Sequence, residues 1–231
     1  MMKNEFIILE QPKKLIFSVI IVDVELPVSD ANHKLVQDLS MVSDLFFIFP
    51  IKSKINTRTF ASLYKSCGYI EAEDRSSEIL MRTLEYDLEI FKSHDMVLLT
   101  QLSNLPSIKE DPEKLQRIVA SDINKPIFKM RNLESQEFFE IYQKKKNPWW
   151  KFSWITKTNR EDTDNSFCSE TSESNCILVR PGVIKKWLKF WKENPDYIHS
   201  FSRIDQRFLI ASVCKKLEIE PLGVELDELE L

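Results

Sequence analysis

The sequence DMVLLTQLSNLP, at positions 95–106, decides the fold more than any other stretch of this chain. Its apolar run, residues 96–99, is typical of a strand that is buried on both faces of a sheet. A polar turn at residues 101–104 follows the run, and an amphipathic helical pattern precedes it from Arg75 onwards. Open α/β sheets bind their ligands at the carboxyl ends of such strands. The stretch therefore predicts a ligand site around residues 101–104.

Strand and helix patterns alternate along the rest of the chain. Apolar runs predict strands at 15–24, 45–49, 69–70 and 176–180, and helical patterns lie at 29–42, 57–66, 112–117, 132–146, 183–192 and 205–217. Such an alternation favours a mostly parallel sheet with helices on both faces. We therefore expect an α/β fold with the sheet flanked by helices.

The overall composition narrows the class of protein. A chain of 231 residues that is 43% apolar can bury the core of one domain. A formal net charge of −4 argues against a nucleic-acid binder, which is usually basic. No segment has the roughly 18 consecutive apolar residues of a membrane span, and the first residues lack a signal-peptide pattern. These features predict a cytoplasmic protein without a nucleic-acid partner.

The glycines and cysteines exclude further classes. The three glycines, Gly68, Gly182 and Gly223, cannot form a GxGxxG fingerprint, a Walker loop or a nucleophile elbow. Rossmann dehydrogenases, P-loop enzymes and α/β-hydrolases in their ordinary forms are therefore excluded. The four cysteines show no metal-ligand spacing, and we interpret them as reduced thiols. A bridge between Cys168 and Cys176 is the alternative.

Three segments, taken in order, resemble those of the GT-A glycosyltransferases, especially the family 2-like branch. Residues 17–21 resemble the opening strand of that family, and residues 94–99 resemble its helix-to-strand passage toward the metal motif. Residues 175–181, followed by 204–207, resemble its acceptor-side strand and the helix that carries a catalytic acidic residue. The resemblance extends over about residues 15–223.

The resemblance implies a single GT-A-like domain over residues 1–231. Residues 1–130 would form the nucleotide-sugar-binding half, and residues 131–231 would form an elaborated acceptor half. The polar stretch at 156–175 is interpreted as a mobile loop within the second half.

The resemblance also implies an activity, the transfer of a sugar from a nucleotide-diphosphate sugar to a hydroxyl acceptor. In an inverting reaction, Asp205 would be the base that takes the acceptor's proton; its alternative role is a charge at a helix N-terminus. The acceptor would be a glycan, a lipid or a protein. The donor side is expected to include Asp23, Glu25, Arg75, Gln101 and Ser103, and the acceptor side Trp149, Trp150, Arg180 and Gln206.

The metal motif of the family is the main departure. The family has an Asp-x-Asp pair that binds a divalent cation where this chain has Gln101-Leu102-Ser103, which supplies no hard anionic ligand. Asp122 and Asn124 are a second candidate pair for Mg²⁺ or Mn²⁺, since they combine one carboxylate with one amide oxygen. The competing interpretation is that Asp122 caps a turn. Metal binding elsewhere, metal-free activity and loss of activity all remain open at this point.

A basic and aromatic segment at 144–154 has three interpretations. Trp149 and Trp150 would stack on acceptor sugars, pack in the core, or help a basic surface to contact an anionic membrane. Two further functions stay open for the whole chain. One is a noncatalytic GT-A-like protein for binding or assembly, and the other is an unrelated α/β enzyme, such as a nuclease that uses Asp23 and Glu25.

Overall fold

The strands and helices of the chain come from a computed structural model, which describes residues 14–22, 29–51, 55–64, 67–72, 80, 83–85, 93–105, 112–132, 170–172, 176–194, 206–226 and 228–229. The strands are β1 (Ile16–Ile21), β2 (Ser43–Pro50), β3 (Cys67–Ala72), β4 (Met96–Gln101), β5 (Met130–Asn132), β6 (Glu170–Ser172) and β7 (Ile177–Val179). The helices are α1 (Asp30–Val42), α2 (Thr57–Ser62), α3 (Pro112–Ala120), α4 (Pro181–Glu193) and α5 (Gln206–Lys216).

Five of the strands form one sheet in the order β3-β2-β1-β4-β7. The first four run parallel, and β7 pairs antiparallel with β4. Buried parallel strands are typically near-continuous apolar runs, and every residue of β1 is buried, as the sequence pattern indicated. The predicted α/β fold with a mostly parallel sheet and flanking helices is therefore confirmed.

The sheet divides the apolar core into two layers, because successive residues of a strand point to opposite faces. Phe17, Val19 and Ile21 of β1 face a layer with α4, α5 and the helical residues 83–85. Ile16 and Ile20 face the other layer, which contains α1, α2 and α3. Helices on both faces are typical of an α/β sheet whose strand order reverses, as it does here between β3 and β4.

Several element boundaries differ from the sequence-based expectation; β2 and β3, for example, extend beyond the expected 45–49 and 69–70 at both ends. Glu170–Ser172 forms β6 and pairs antiparallel with β5, so the loop expected at 156–175 contains a strand. The three residues of β6 are all polar, so the alternation of apolar and polar residues that reveals a strand is absent there. Helix α3 continues to Ala120, three residues beyond the expected end.

Two of the four cysteines, Cys176 and Cys214, are buried in the core. The alternative bridge between Cys168 and Cys176 is not tested, because Cys168 lies outside the described residues. Within the ranges that the structure describes, no helix is both long enough and apolar enough to cross a membrane.

The segment after α5 packs against the segment that follows α3. The Leu222 N–H donates to the Pro126 carbonyl at 2.8 Å, and Leu226 is buried in the layer that contains α3. A hydrogen bond and ion pair from Lys125 Nζ to Glu220 Oε2, 2.6 Å long, lowers the pKa of the Glu220 carboxyl. These contacts attach the end of the chain to the segment that follows α3.

Replacing Thr83 with valine is expected to stabilise the protein. Thr83 is 3% exposed, and its Oγ1 makes no hydrogen bond to the described part of the chain. Valine keeps the shape and removes a desolvated hydroxyl, so we expect the free energy of unfolding to rise by about 1 kcal/mol in urea titrations. Thr83→Ser, which keeps the hydroxyl and removes the methyl group, should instead lower it. A loss of stability in Thr83→Val would show that the hydroxyl has a partner.

Candidate functional site

The order of the strands changes direction at β1, and this change marks one edge of the sheet. From β1 the chain proceeds outward to β2 and β3, and then returns to the other side of β1 as β4. The strand order therefore reverses between β1 and β4, which are neighbours in the sheet, and at their carboxyl ends Ile21 lies opposite Gln101 in the register. In open α/β sheets this switch point is where ligands bind. We call it the carboxyl edge.

The turn after β4 presents polar side chains at the carboxyl edge. A short 3-10 helix, Leu102–Asn104, follows Gln101 directly. Leu102 is buried, whereas Ser103 and Asn104 are exposed. The Thr100 hydroxyl donates to the Asn104 carbonyl at 3.1 Å and closes the turn from the inside. Leu102 thus holds the turn against the core, while the Ser103 hydroxyl and the Asn104 carboxamide lie at the surface.

The N-terminus of α1 lies beside this turn. The Ser29 Oγ caps the helix by accepting from the Asn32 N–H at 3.2 Å, and it donates to Asn32 Oδ1 at 2.6 Å. Asn32 Nδ2 lies 3.5 Å from the Leu102 carbonyl oxygen, at the long limit for a hydrogen bond. The positive end of the α1 dipole therefore faces the carboxyl edge, with the exposed Asp30 in its first turn.

The chemistry of these side chains does not fit the divalent cation that the GT-A resemblance implies. Gln101, Ser103 and Asn104 carry only neutral oxygen atoms, whereas Mg²⁺ is bound in proteins through one or more carboxylates. Across the described ranges, no three His, Cys, Asp or Glu side chains are grouped closely enough to hold a metal ion. The turn after β4 is therefore a neutral polar site.

The second candidate pair for a metal, Asp122 and Asn124, lies at the other edge of the sheet. The Arg180 guanidinium donates to the Ser121 and Ile123 carbonyls, and its Nη1 lies 3.5 Å from the carbonyl of Asp95. Asp95 immediately precedes β4, whose six residues separate the two edges by about 16 Å at about 3.3 Å per residue. Asp122 and Gln101 therefore do not share one site. Metal binding at Asp122 and Asn124 stays a prediction.

Arg180 has a structural environment that the sequence did not reveal. Its Nη2 donates to the Ser121 carbonyl at 2.6 Å and to the Val119 carbonyl at 3.1 Å, and its Nε donates to the Ile123 carbonyl at 3.0 Å. Val119 and Ser121 lie at the C-terminal end of α3, where the last carbonyls of a helix lack partners. Arg180 thus links the end of α3 to the start of α4. Its expected role at the acceptor stays a prediction.

Most of the other expected site residues lie outside the described residues. These are Asp23, Glu25, Arg75, Trp149, Trp150 and Asp205. Gln206 is the first residue of α5. Of the expected donor-side residues, the structure thus places Gln101 and Ser103 together at the carboxyl edge.

Two residues at this edge were not identified as site residues from the sequence. Ser29 and Asn32 both lie in the helical pattern expected at 29–42, which by itself indicates no ligand site. Serine before a helical pattern, as at Ser29, is a local signal for the beginning of a helix. The approach of Asn32 to the Leu102 carbonyl spans 70 positions and has no local signal.

Another polar cluster lies at the amino edge of the sheet. His94 Nε2 is 2.9 Å from Asp44 Oδ2, and Lys14 Nζ is 3.3 Å from Asp44 Oδ1. His94 is buried against the ring of Phe17 in an edge-to-face contact with ring centroids 5.3 Å apart. The Asp44 carboxylate thus supplies a hydrogen-bond partner for the buried His94 imidazole. This contact joins the start of β2 to the residues before β4.

Comparison with known proteins identifies the fold. No protein-family profile and no curated protein sequence matches this chain. Among solved structures, 4-diphosphocytidyl-2C-methyl-D-erythritol synthase from Anaerococcus prevotii is similar with a TM-score of 0.53 and 9% identity, over 92% of this chain and 88% of that chain. A second structure of a synthase with this name has a TM-score of 0.50 and 12% identity, over 92% and 89%. The chain therefore shares the overall α/β fold of these synthases.

Proposed function

We propose that this protein is a transferase that binds a nucleotide at the carboxyl edge of the sheet. The observation that carries the proposal is the switch point between β1 and β4, where the polar turn after β4 and the N-terminus of α1 lie together. A helix N-terminus favours anionic groups, and the turn supplies amide and hydroxyl donors for a phosphate or a nucleobase. The diphosphocytidyl group in the name of both similar structures is consistent with a nucleotide ligand.

The first candidate reaction is glycosyl transfer from a nucleotide-diphosphate sugar to a hydroxyl acceptor, as the GT-A resemblance implies. In this proposal Asp205 accepts the proton of the acceptor hydroxyl while that oxygen attacks the anomeric carbon and the nucleoside diphosphate leaves. Gln101 and Ser103 bind the donor. Asp23, Glu25 and Arg75 would complete the donor side, and Trp149, Trp150 and Gln206 the acceptor side. No step of the proposal uses Arg180.

The second candidate reaction is nucleotidyl transfer, in which an acceptor phosphate attacks a nucleoside triphosphate. The observation in its favour is the similarity to the two synthases whose name contains a diphosphocytidyl group. The two reactions differ in the product that they release. Nucleotidyl transfer releases pyrophosphate, whereas glycosyl transfer releases a nucleoside diphosphate, so phosphorus NMR of the products distinguishes them.

Nucleotide binding should raise the thermal stability of the chain. A ligand present at 100 times its Kd stabilises the native state by about 2.7 kcal/mol. We expect at least one of CDP, UDP, GDP and CTP to raise the Tm measured by differential scanning fluorimetry. Gln101→Ala should weaken the shift, and Gln116→Ala, at an exposed position of α3, should leave it unchanged.

The outcomes of this experiment distinguish a nucleotide-binding enzyme from a noncatalytic binding protein and from a protein that binds no nucleotide. If none of these nucleotides changes the Tm, the proposed function is contradicted. If nucleotides bind but neither product is released with any tested acceptor, a noncatalytic binding or assembly protein is favoured instead. A shift that Gln101→Ala and Gln116→Ala reduce equally would place the ligand elsewhere.

A further inference from the structure

We infer that the outer edge of β3 binds the same edge of a second copy of this chain, so that one continuous sheet runs through a two-fold symmetric dimer. The two β3 strands lie antiparallel in this dimer, and Ile70 lies opposite Ile70 of the second copy. The surface is separate from the proposed nucleotide site, because β2 stands between β3 and the switch point at β1 and β4.

The backbone of β3 carries the first argument. The Ile51 N–H donates to the Ala72 carbonyl at 2.8 Å, in the parallel register of β2 and β3. Because alternate residues of a parallel strand bond to the same neighbour, Ala72 and the residues two and four positions before it bond to β2. Tyr69 and Glu71 direct their N–H and C=O groups to the other side, where no strand of the described chain lies. Such an edge is a template for pairing with another strand.

The two ends of the sheet differ in how they are protected. Natural edge strands are commonly very short or carry proline or lysine, whereas the six residues of β3 include neither. At the opposite end, the outer side of β7 is bonded to the chain itself. The Ile127 N–H donates to the Leu178 carbonyl at 2.8 Å, and the Leu178 N–H donates back at 3.2 Å. Growth at β3 alone therefore closes after two copies and does not continue as a filament.

Exposed apolar side chains lie beside the free backbone groups. Tyr69 is 43% exposed, and Ile51, which is bonded to the end of β3, is 56% exposed. They are two of the four large apolar side chains that are exposed in the described ranges. In an isologous pairing, each copy presents the same apolar groups to the other. A second copy therefore satisfies the backbone of β3 and covers apolar surface in one contact.

The side chains of β3 select the register. In an antiparallel ladder, residues with outward N–H and C=O groups face each other in hydrogen-bonded pairs. A two-fold axis at Glu71 would place two carboxylates opposite each other, which destabilises the pairing. An axis at Tyr69 would place Ile70 opposite Gly68, which has no side chain to contact. An axis at Ile70 avoids both faults, since it pairs Ile70 with itself and places Tyr69 opposite Glu71 of the second copy.

Sedimentation velocity over a dilution series of the full-length chain tests the inference. The mass is expected to rise with concentration from 27.3 kDa towards twice that value. Tyr69→Glu and Tyr69→Lys both remove the ring, but they place opposite charges against Glu71 of the second copy. We expect the dimer of Tyr69→Lys to have a Kd at least about tenfold lower than that of Tyr69→Glu. Gln116→Glu, at an exposed position of α3, is the control for added charge and should leave the wild-type Kd unchanged.

Backbone amide exchange of the wild type, followed by NMR, gives a second measurement that needs no variant. The amides of Tyr69 and Glu71 should exchange more slowly as the concentration rises. The amide of Ile70, which bonds to β2, should be protected at every concentration.

Three results would overturn the inference. One is a wild type that stays monomeric, which would leave the β3 edge to a strand of another protein. Another is an equal dimer Kd in Tyr69→Glu and Tyr69→Lys, because Tyr69 would then not face Glu71. The third is amide exchange at Tyr69 and Glu71 that does not change with concentration.

Discussion

Arg180→Ala is expected to lower the free energy of unfolding by about 3 to 5 kcal/mol, since each hydrogen bond from a charged donor contributes about 1.5 to 3 kcal/mol. The half-buried guanidinium donates to the carbonyls of Val119, Ser121 and Ile123 at distances from 2.6 to 3.1 Å. Alanine would leave these carbonyls without the donor that holds them. Water can reach part of this site, so the full sum of the bonds is not expected.

Urea unfolding followed by circular dichroism measures this loss. Arg180→Lys should recover little stability, because one ammonium group cannot reproduce the planar fork that reaches three carbonyls. Arg117→Ala is the matched control. Arg117 is exposed on α3, lies 3.8 Å from Glu113, and should change stability by less than about 0.5 kcal/mol. Equal losses in Arg180→Ala and Arg117→Ala would contradict the structural role of Arg180.

Trp187→Ala is the second variant with a large expected effect, a loss of about 3 to 5 kcal/mol in the free energy of unfolding. Trp187 is fully buried on α4 and belongs to the same core layer as Leu80, Leu84 and Val97. Alanine would remove apolar contacts and leave a cavity that the surrounding helices fill only in part. The layer between the sheet and α4 would lose its largest fully buried side chain.

Trp187→Phe distinguishes the contribution of the apolar ring to stability from that of the indole N–H. Trp187 Nε1 makes no hydrogen bond to the described residues, so the indole N–H is desolvated without compensation. Phenylalanine removes this group and keeps most of the apolar surface, and we expect a loss well below half of that in Trp187→Ala. Leu63→Ala, at an exposed position, is the control and should change stability little. A loss in Trp187→Phe as large as in Trp187→Ala would show that the indole N–H has a partner.

The fold was predictable because its signals are local. The nearly continuous apolar runs of β1 and β4 identified buried parallel strands, and the helical patterns at 29–42 and 112–117 correspond to α1 and α3. The antiparallel pairing of β5 with β6 was missed. Glu170–Ser172 consists of polar residues, and the pairing partner is about 40 positions away in the sequence.

The candidate site was predictable only in part. Gln101 and Ser103 were identified because a polar turn after a buried strand is a local pattern. The contact between Asn32 and the Leu102 carbonyl, and the carbonyl cluster around Arg180, join segments that are distant in sequence. Arginine after a strand is equally compatible with a phosphate ligand and with a structural role, and the residues alone do not separate these two.

The sequence by itself determined the alternation of strands and helices, the apolar core and the neutral composition of the turn at 101–104, because these follow from residue type and spacing. Only the tertiary structure decided which edge of the sheet Gln101, Ser103 and Asp122 occupy. It placed Gln101 at the carboxyl edge and Asp122 beside Arg180 at the amino edge, about 16 Å away along β4 at about 3.3 Å per residue. That separation depends on strand order and direction, which arise from pairings between distant segments and leave no mark in any single stretch of the chain.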